Sequence, residues 1–308
     1  MKKRTIKPLL QFLTLGGIFS VLVAGNCNKN NDVPLPQIGG YNNSNEVAAT
    51  NLKAYWPLDG NGTESKSGIL PTSTVNVTYA TGGIKGQAAT FSNGYIYYAS
   101  AVGGALTSNQ AFTVSAWVQA ANNGLNGGMP PANNHPYQFF TLAKPGQFWG
   151  NVNLLIEAGQ YGIASDTLTF KSLYSNNNTG GVQDNINNYG IAGTEYKVVK
   201  KGGTSQWIHV VTTYNPAGGT GAQSIFRIYA DSALVSNTNF ENRGTNSFVY
   251  SSHEVIIGGW YNNIPGKMIT ADTWTTPFTG KIDEIRVYNK LLSDAEIIAL
   301  YQLGKAGR

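Results

Sequence analysis

The chain has 308 residues, 41% of them hydrophobic and 12% charged, with 37 glycines and 17 tyrosines, which suits one large β domain with a sizeable core better than two small ones. Its formal charge is +5, but setting aside Lys2, Lys3, Arg4 and Lys7 in the leading segment leaves 17 basic against 16 acidic side chains. The basic balance therefore carries no signal for nucleic acid. A single cysteine, Cys27, leaves no partner for an intrachain disulfide.

At the N-terminus, those four positive charges precede an apolar stretch from Leu9 to Ala24, the pattern of an export signal. The stretch contains Gly16 and Gly17 and is shorter than the ~20 residues of a comfortable membrane span. Cys27 follows directly. This arrangement resembles the lipid-attachment site of bacterial lipoproteins, which implies cleavage before Cys27 and acylation on it. Asn26 stands where such sites carry a small residue, and a plain secretory signal or a retained single-span anchor are the competing readings. Asn28 to about Ala49 is rich in Asn, Pro and Gly without apolar periodicity and reads as a flexible tether. The expected division is a signal peptide over 1–26, a lipidated cysteine with its tether over 27–49, and a domain over 50–308. The lipoprotein resemblance implies anchoring in the bacterial envelope, at the outer membrane, with the periplasmic or outward face left open.

Within the domain, Ala54 to Leu58 is apolar and aromatic, and Asp59-Gly60-Asn61-Gly62 makes a turn. Gly86 to Tyr98 reads as two strand-like runs around a Ser92-Asn93-Gly94 hairpin turn. Phe112 to Gln119 sets Phe112, Val114, Ala116 and Val118 against Thr113, Ser115, Trp117 and Gln119, a clear period of two. Ala120–Pro136 and Ser175–Thr194 are long polar loops. Further strands are expected at Gln206–Tyr214, at Ser224–Ala230 with Leu234 and Val235 as its hairpin partner, and at Glu254–Gly258. Lys281 to Asn289 reads as the closing strand, with Asp283, Ile285 and Val287 on one face. Ser293 and Glu296 form a capping box ahead of a helix from Asp294 to about Leu303, with Gly304 as its stop.

Taken in order, these segments resemble a laminin-G-like jelly roll of the concanavalin A-like lectin/glucanase superfamily. The resemblance implies an all-β fold, a two-sheet antiparallel sandwich with a short C-terminal helix, whose closing strand lies beside its first. The family carries Asp-Gly or Asn-Gly where this chain has Asp231-Ser232, so a longer or differently shaped turn is expected there. Side-by-side first and last strands would bring Asp59 near Asp283. Two carboxylates that close call for a cation, and Ca²⁺ accepts carboxylates with turn carbonyls. A structural calcium is what the resemblance implies, with Asn61 and Glu64 as weaker ligands. In the competing reading Asp59 caps its own turn and Asp283 accepts backbone hydrogen bonds without an ion.

Glycan sites need exposed aromatic rings to stack on sugar C–H faces, with amides and charged groups to bond the hydroxyls. Trp149, Trp260 and Trp274 lie in loop-like contexts, with Tyr261, Asn262 and Asn263 beside the second, whereas Trp56, Trp117 and Trp207 fall on expected strands and read as core. The competing reading makes the loop aromatics satellite cores. No E-x-D-x-x-E run of the kind found in similar glucanases is present, although a pair such as Glu157 with Asp166 remains open. His135, His209 and His253 lack zinc-ligand spacing. The expectation is a non-catalytic carbohydrate-binding domain of an envelope lipoprotein, with a glycan and a membrane as partners. A protein-interaction or envelope-scaffold module is the alternative, and a glycoside-cleaving enzyme the third reading.

Overall fold

Among the described residues, fifteen strands and one α-helix follow the chain: β1 (Leu52–Trp56), β2 (Ser73–Thr81), β3 (Gln87–Tyr98), β4 (Phe112–Gln119), β5 (Tyr137–Ala143), β6 (Val152–Ile156), β7 (Thr167–Leu168), β8 (Phe170–Ser175), β9 (Val182–Ile186), β10 (Val199–Lys200), β11 (Ile208–Asn215), β12 (Ile225–Ala230), β13 (Ala233–Leu234), β14 (Glu254–Ile257), β15 (Phe278–Tyr288) and α1 (Asp294–Lys305). The computed structural model describes residues 34–100, 106–122, 136–157, 164–177, 181–187, 199–203, 205–251, 253–267 and 275–308. Cys27 and Trp274 lie outside them. Two units divide the chain: Met1–Leu35, of which only Pro34 and Leu35 are described, and Pro36–Arg308. Among the described residues no helix is long and apolar enough to cross a membrane.

Eleven strands run in one path, β13-β12-β11-β4-β15-β3-β14-β5-β6-β8-β9, with β1 added on β15 and β2 on β3. Every pairing is antiparallel, including the separate β7–β10 ribbon. This is the all-β architecture of a jelly roll. The path bends at β3, whose first half pairs β15 and whose last residues, Ile96 to Tyr98, pair β14. Ser92-Asn93-Gly94 is therefore a kink inside one strand and not the expected hairpin turn. Asn93 takes φ +49°, and a side chain at Gly94 would collide with the carbonyl oxygens of Val75 and Asn76 on β2. Folding the path over at this kink encloses the core.

That core holds Phe112, Val114, Ala116 and Val118 from β4, the face read from the alternation, against Phe140, Leu142, Val152 and Leu154 from β5 and β6. Trp56 packs on Phe140 at 5.5 Å and Tyr98 at 6.0 Å, while Tyr174 meets Phe226 at 4.9 Å. Each such side chain contributes about 1.5–3 kcal/mol by leaving water. The second polar stretch of the sequence, Ser175–Thr194, is not wholly loop: Ser175 ends β8 and Val182–Ile186 is strand β9. Its Asn185 is fully buried, with Nδ2 donating to Phe226 O at 2.8 Å across the layers.

At the β12–β13 turn, Asp231 and Ser232 adopt φ +49° and +68°, and Ala230 pairs Ala233. The turn is thus the short two-residue kind, without the glycine that such backbone favours. Asp231 is held in place by its side chain, which pairs with Lys201 and accepts His209 N at 3.0 Å.

The closing strand also differs from simple alternation. Its pairing with β4 shifts register between Asp283 and Arg286, and Glu284 has φ +53°. This bulge places Ile282, Ile285 and Val287 together in the core. Asp283 accordingly does not share the apolar face. Tyr288 joins a second cluster under the helix, with Leu52, Tyr55, Val211, Leu292 and Leu300. The helix begins at the expected box, Ser293 Oγ accepting Glu296 N. It continues past Gly304, whose added Cβ would lie 2.6 Å from the Trp117 ring, so this glycine serves close packing instead of ending the helix.

Residues 36–49 are not a free tether. Val47 is fully buried in the helix cluster, Ser44 N donates to Arg308 O, and the Arg308 guanidinium donates to Pro36 O and Asn42 O, each at 2.9 Å. Composition alone concealed this, because one buried valine and backbone hydrogen bonds leave no periodic trace.

Candidate functional site

Of the aromatic residues read as exposed, Trp149 and Trp260 are brought together, and Trp260 and Tyr261 are buried. Trp260 is fully buried, with its ring 4.9 Å from Phe148 and 5.2 Å from Trp149. It sits over Leu155 and Leu173 on the outer face of β6 and β8. Tyr261 is also buried, in a separate cluster with Tyr95, Tyr97, Ile256 and Ile264. The reason is local: residues 261–263 form a 3-10 turn, and Asn263 Oδ1 accepts Trp260 N at 2.7 Å. The loop is thereby pulled onto the sheet. Trp260 and Tyr261 thus fill satellite cores under a loop, and neither ring is open to stack a sugar; Asn263 serves the turn. Asn262 is half-buried at the same turn.

Trp149 differs. It is half-buried, its ring packed against Trp260 at 5.2 Å and set edge-on to Phe148 at 4.8 Å and 86°. It lines a depression of about 250 Å³ together with Lys144, Gln147 and Ser175. Partial burial holds the Lys144 ammonium below its ordinary pKa. A braced aromatic ring beside an amine and an amide can stack a sugar ring and bond its hydroxyls; the Ser175 hydroxyl donates to Val249 O.

Trp56 and Trp117 are core, as read. Trp207 stands just before β11, half-buried, and donates Nε1–H to Gly82 O at 3.2 Å.

The first and last strands do lie side by side, Trp56 opposite Ile285, and both aspartates turn to the same 82–87 loop. Asp283 is fully buried; Oδ2 accepts Ile84 N at 2.7 Å and Lys85 N at 3.3 Å, and Oδ1 accepts Glu284 N at 2.9 Å. Asp59 is exposed and accepts Gln87 N at 2.9 Å. Of the weaker ligands, Glu64 is fully buried and clasps Tyr55 N, Lys66 N and Ser67 N, and Asn61 accepts Thr63 N. These oxygens face N–H donors, the opposite of an oxygen shell gathered about a cation. No group of three or more His, Cys, Asp or Glu able to hold a metal occurs among the described residues. The donor set does not fit Ca²⁺ at Asp59 and Asp283.

Beside Asp283 lies a buried charged network that sequence reading missed. Glu284 takes Arg286 at 2.6 Å, Lys85 at 3.0 Å and the Tyr55 hydroxyl at 2.6 Å. Arg286 also donates to Ser44 Oγ at 3.1 Å and Asn45 Oδ1 at 3.0 Å and lies over the Tyr55 ring at 4.2 Å. Alternation already sets Glu284 and Arg286 on one face of the strand, but their distant partners Lys85, Tyr55, Ser44 and Asn45 leave no trace in it. Glu157 is ion-paired to Lys171 at 3.2 Å, and Asp184 shares that lysine at 3.3 Å, so Glu157 is tied to a structural pair.

Residues 91–298, well over half the chain, match the family described as the concanavalin A-like lectin/glucanases superfamily (Laminin_G_3). Among solved structures, the chain is similar to the binding domain of botulinum neurotoxin serotype G, with TM-score 0.52 and 14% identity. It is also similar to the serotype D binding domain, with TM-score 0.50 and 15% identity. In both, 82% of this chain matches 51% of the other, so the chain spans about half the length of those structures. At that identity the likeness is one of fold. No curated protein matches the sequence.

Proposed function

The chain belongs to the concanavalin A-like lectin/glucanase superfamily, and from that premise we propose that it is a non-catalytic carbohydrate-binding protein of the bacterial envelope. The observation that carries this reading is the half-buried Trp149, packed against Trp260 and Phe148 and lining a depression with Lys144, Gln147 and Ser175. Its size suits one or two sugar rings, with the indole as the stacking platform. Trp260 acts as a positioning residue that fixes the angle of Trp149. A binding role agrees with the acidic residues, since Glu157 and Glu284 are engaged in ion pairs and Asp283 in backbone hydrogen bonds.

The test is a glycan array probed with the protein, wild type and Trp149→Ala. The expected result is a glycan hit that Trp149→Ala weakens about tenfold or more, the worth of one lost stacking contact, with the protein still folded by circular dichroism at the assay temperature. Silence on every glycan from a well-folded protein would overturn the reading in favour of a protein-interaction module. Lipid on Cys27 is the proposed anchor, and palmitate labelling that persists in Cys27→Ser would remove it.

A further inference from the structure

We propose that the open edge of β2 pairs with the β2 of a second copy of this chain, the two strands running antiparallel about a two-fold axis. Strand β2 takes β3 along one side. Along the other side, among the described residues, no second strand pairs with it, and nothing from Ser73 to Thr81 has a backbone hydrogen bond to a turn or loop. In an antiparallel pair every second residue turns its N–H and C=O away from its neighbour, so this edge presents a row of groups that an added strand would satisfy. No residue of β2 lines the Trp149 depression, and the inference does not rest on the glycan reading.

Sheet edges are ordinarily guarded by charge, proline, shortness or a covering segment, and the other edges of this sheet are. β13 has two residues. β9 carries Asp184, ion-paired to Lys171 and Arg243, and its Ile186 O accepts Asn237 N. On β1, Tyr55 N donates to Glu64 Oε1 and Tyr55 O accepts Ser65 N. β2 runs for nine residues without a charge or a proline, and six of the nine are exposed. Its one guard is the bulge at Asn76, with φ +52°, beyond which residues 77–81 pair with β3 in even register. Val75 is 36% exposed, and Leu70, just ahead of the strand, 69%. Charge then selects the partner. In a two-fold antiparallel pair the same segment faces itself, so a charged side chain there would be brought close to its own copy. β2 has none, and its Val, Thr and Tyr residues make favourable cross-strand neighbours. Such a contact closes at two copies.

Sedimentation velocity of the full chain, in mild detergent to mask the apolar stretch at 9–24, should show a reversible monomer–dimer equilibrium. The expected Kd is about 1–100 µM, as suits a small interface. Thr78 and Ala80 are both exposed and share one face of β2. Thr78→Lys with Ala80→Lys should weaken the dimer about tenfold or more, because like charges then meet across the pair. Thr78→Glu with Ala80→Glu should do the same. Mixing the lysine and glutamate variants should restore dimers, which a fold damaged by either pair could not do. A chain that stays monomeric over this range overturns the proposal and leaves the edge to a foreign strand. A dimer that the lysine pair does not weaken, or a mixture of the two variants that stays monomeric, overturns it as well.

Discussion

Asp283 shows how much a single side chain can depend on its surroundings. Burial, then the neighbouring Glu284 carboxylate, push its pKa up to about 8, against three backbone amides that pull it down. The folded state therefore holds this proton more tightly than the unfolded chain. Its contribution to stability is fully present below the ordinary aspartate range and is lost as pH rises through about 8. His209 runs the other way. Burial, then Arg286, lower its pKa to about 3, so its contribution is present above the ordinary histidine range and fades as pH falls from there toward about 3. The two slopes oppose each other between those ranges, and variants are needed to separate them. In urea denaturation, Asp283→Asn should flatten the loss of stability between pH 5 and pH 9 and cost about 1–3 kcal/mol at pH 5, because an amide NH₂ cannot accept the bonds that one carboxylate oxygen takes. An unaltered slope would refute the titration assignment. The same melts run with chelator should not move, and a loss restored by Ca²⁺ would reinstate the calcium reading. The side chains of this region were legible as a pair of acids near one another. That they accept from loop amides was not, because donors on a backbone loop are invisible in side-chain spacing.

At the level of elements, the strongly periodic ones were legible and the special backbone was not. The β4 face, the β1–β15 pairing and the capping box of α1 all follow from alternation and from Ser293 and Glu296. The kink at Asn93, the bulge at Glu284 and the tight Asp231-Ser232 turn are each a local departure from the period, set by tertiary partners. Strands β5, β6 and β8 were passed over since they are buried on both faces and do not alternate. Gly304 gives the sharpest element-scale prediction. A helical Gly→Ala change ordinarily stabilises by up to about 1 kcal/mol. Here the new methyl would meet Trp117, which is stacked on both His209 at 4.9 Å and Tyr301 at 5.7 Å. Gly304→Ala should therefore destabilise by about 1–3 kcal/mol, and a raised melting temperature would show that the stack yields.

Over the whole molecule, the fold class and the pairing of the first strand with the last were legible, while which loop aromatics are buried was not. Amphipathic loop aromatics look alike in sequence whether they face water or the sheet, and it is the 3-10 turn closed by Asn263 that decides for Trp260. The boundary of the domain likewise moves from about residue 50 to Pro36. A chain begun at Pro36 should melt as the full chain does. One begun at Thr50 loses Ser44 and Asn45 from the buried Arg286 and should melt several degrees lower, roughly what 1–3 kcal/mol of unpaired polar group implies for a domain of this size. Equal melting of the two would return 36–49 to the status of a tether. The hold of Arg308 on Pro36 and Asn42 reaches further than stability. It makes neighbours of the two ends of the folded unit, so a circular permutant that joins them through a short linker would preserve every strand neighbour while freeing a new pair of termini elsewhere on the surface.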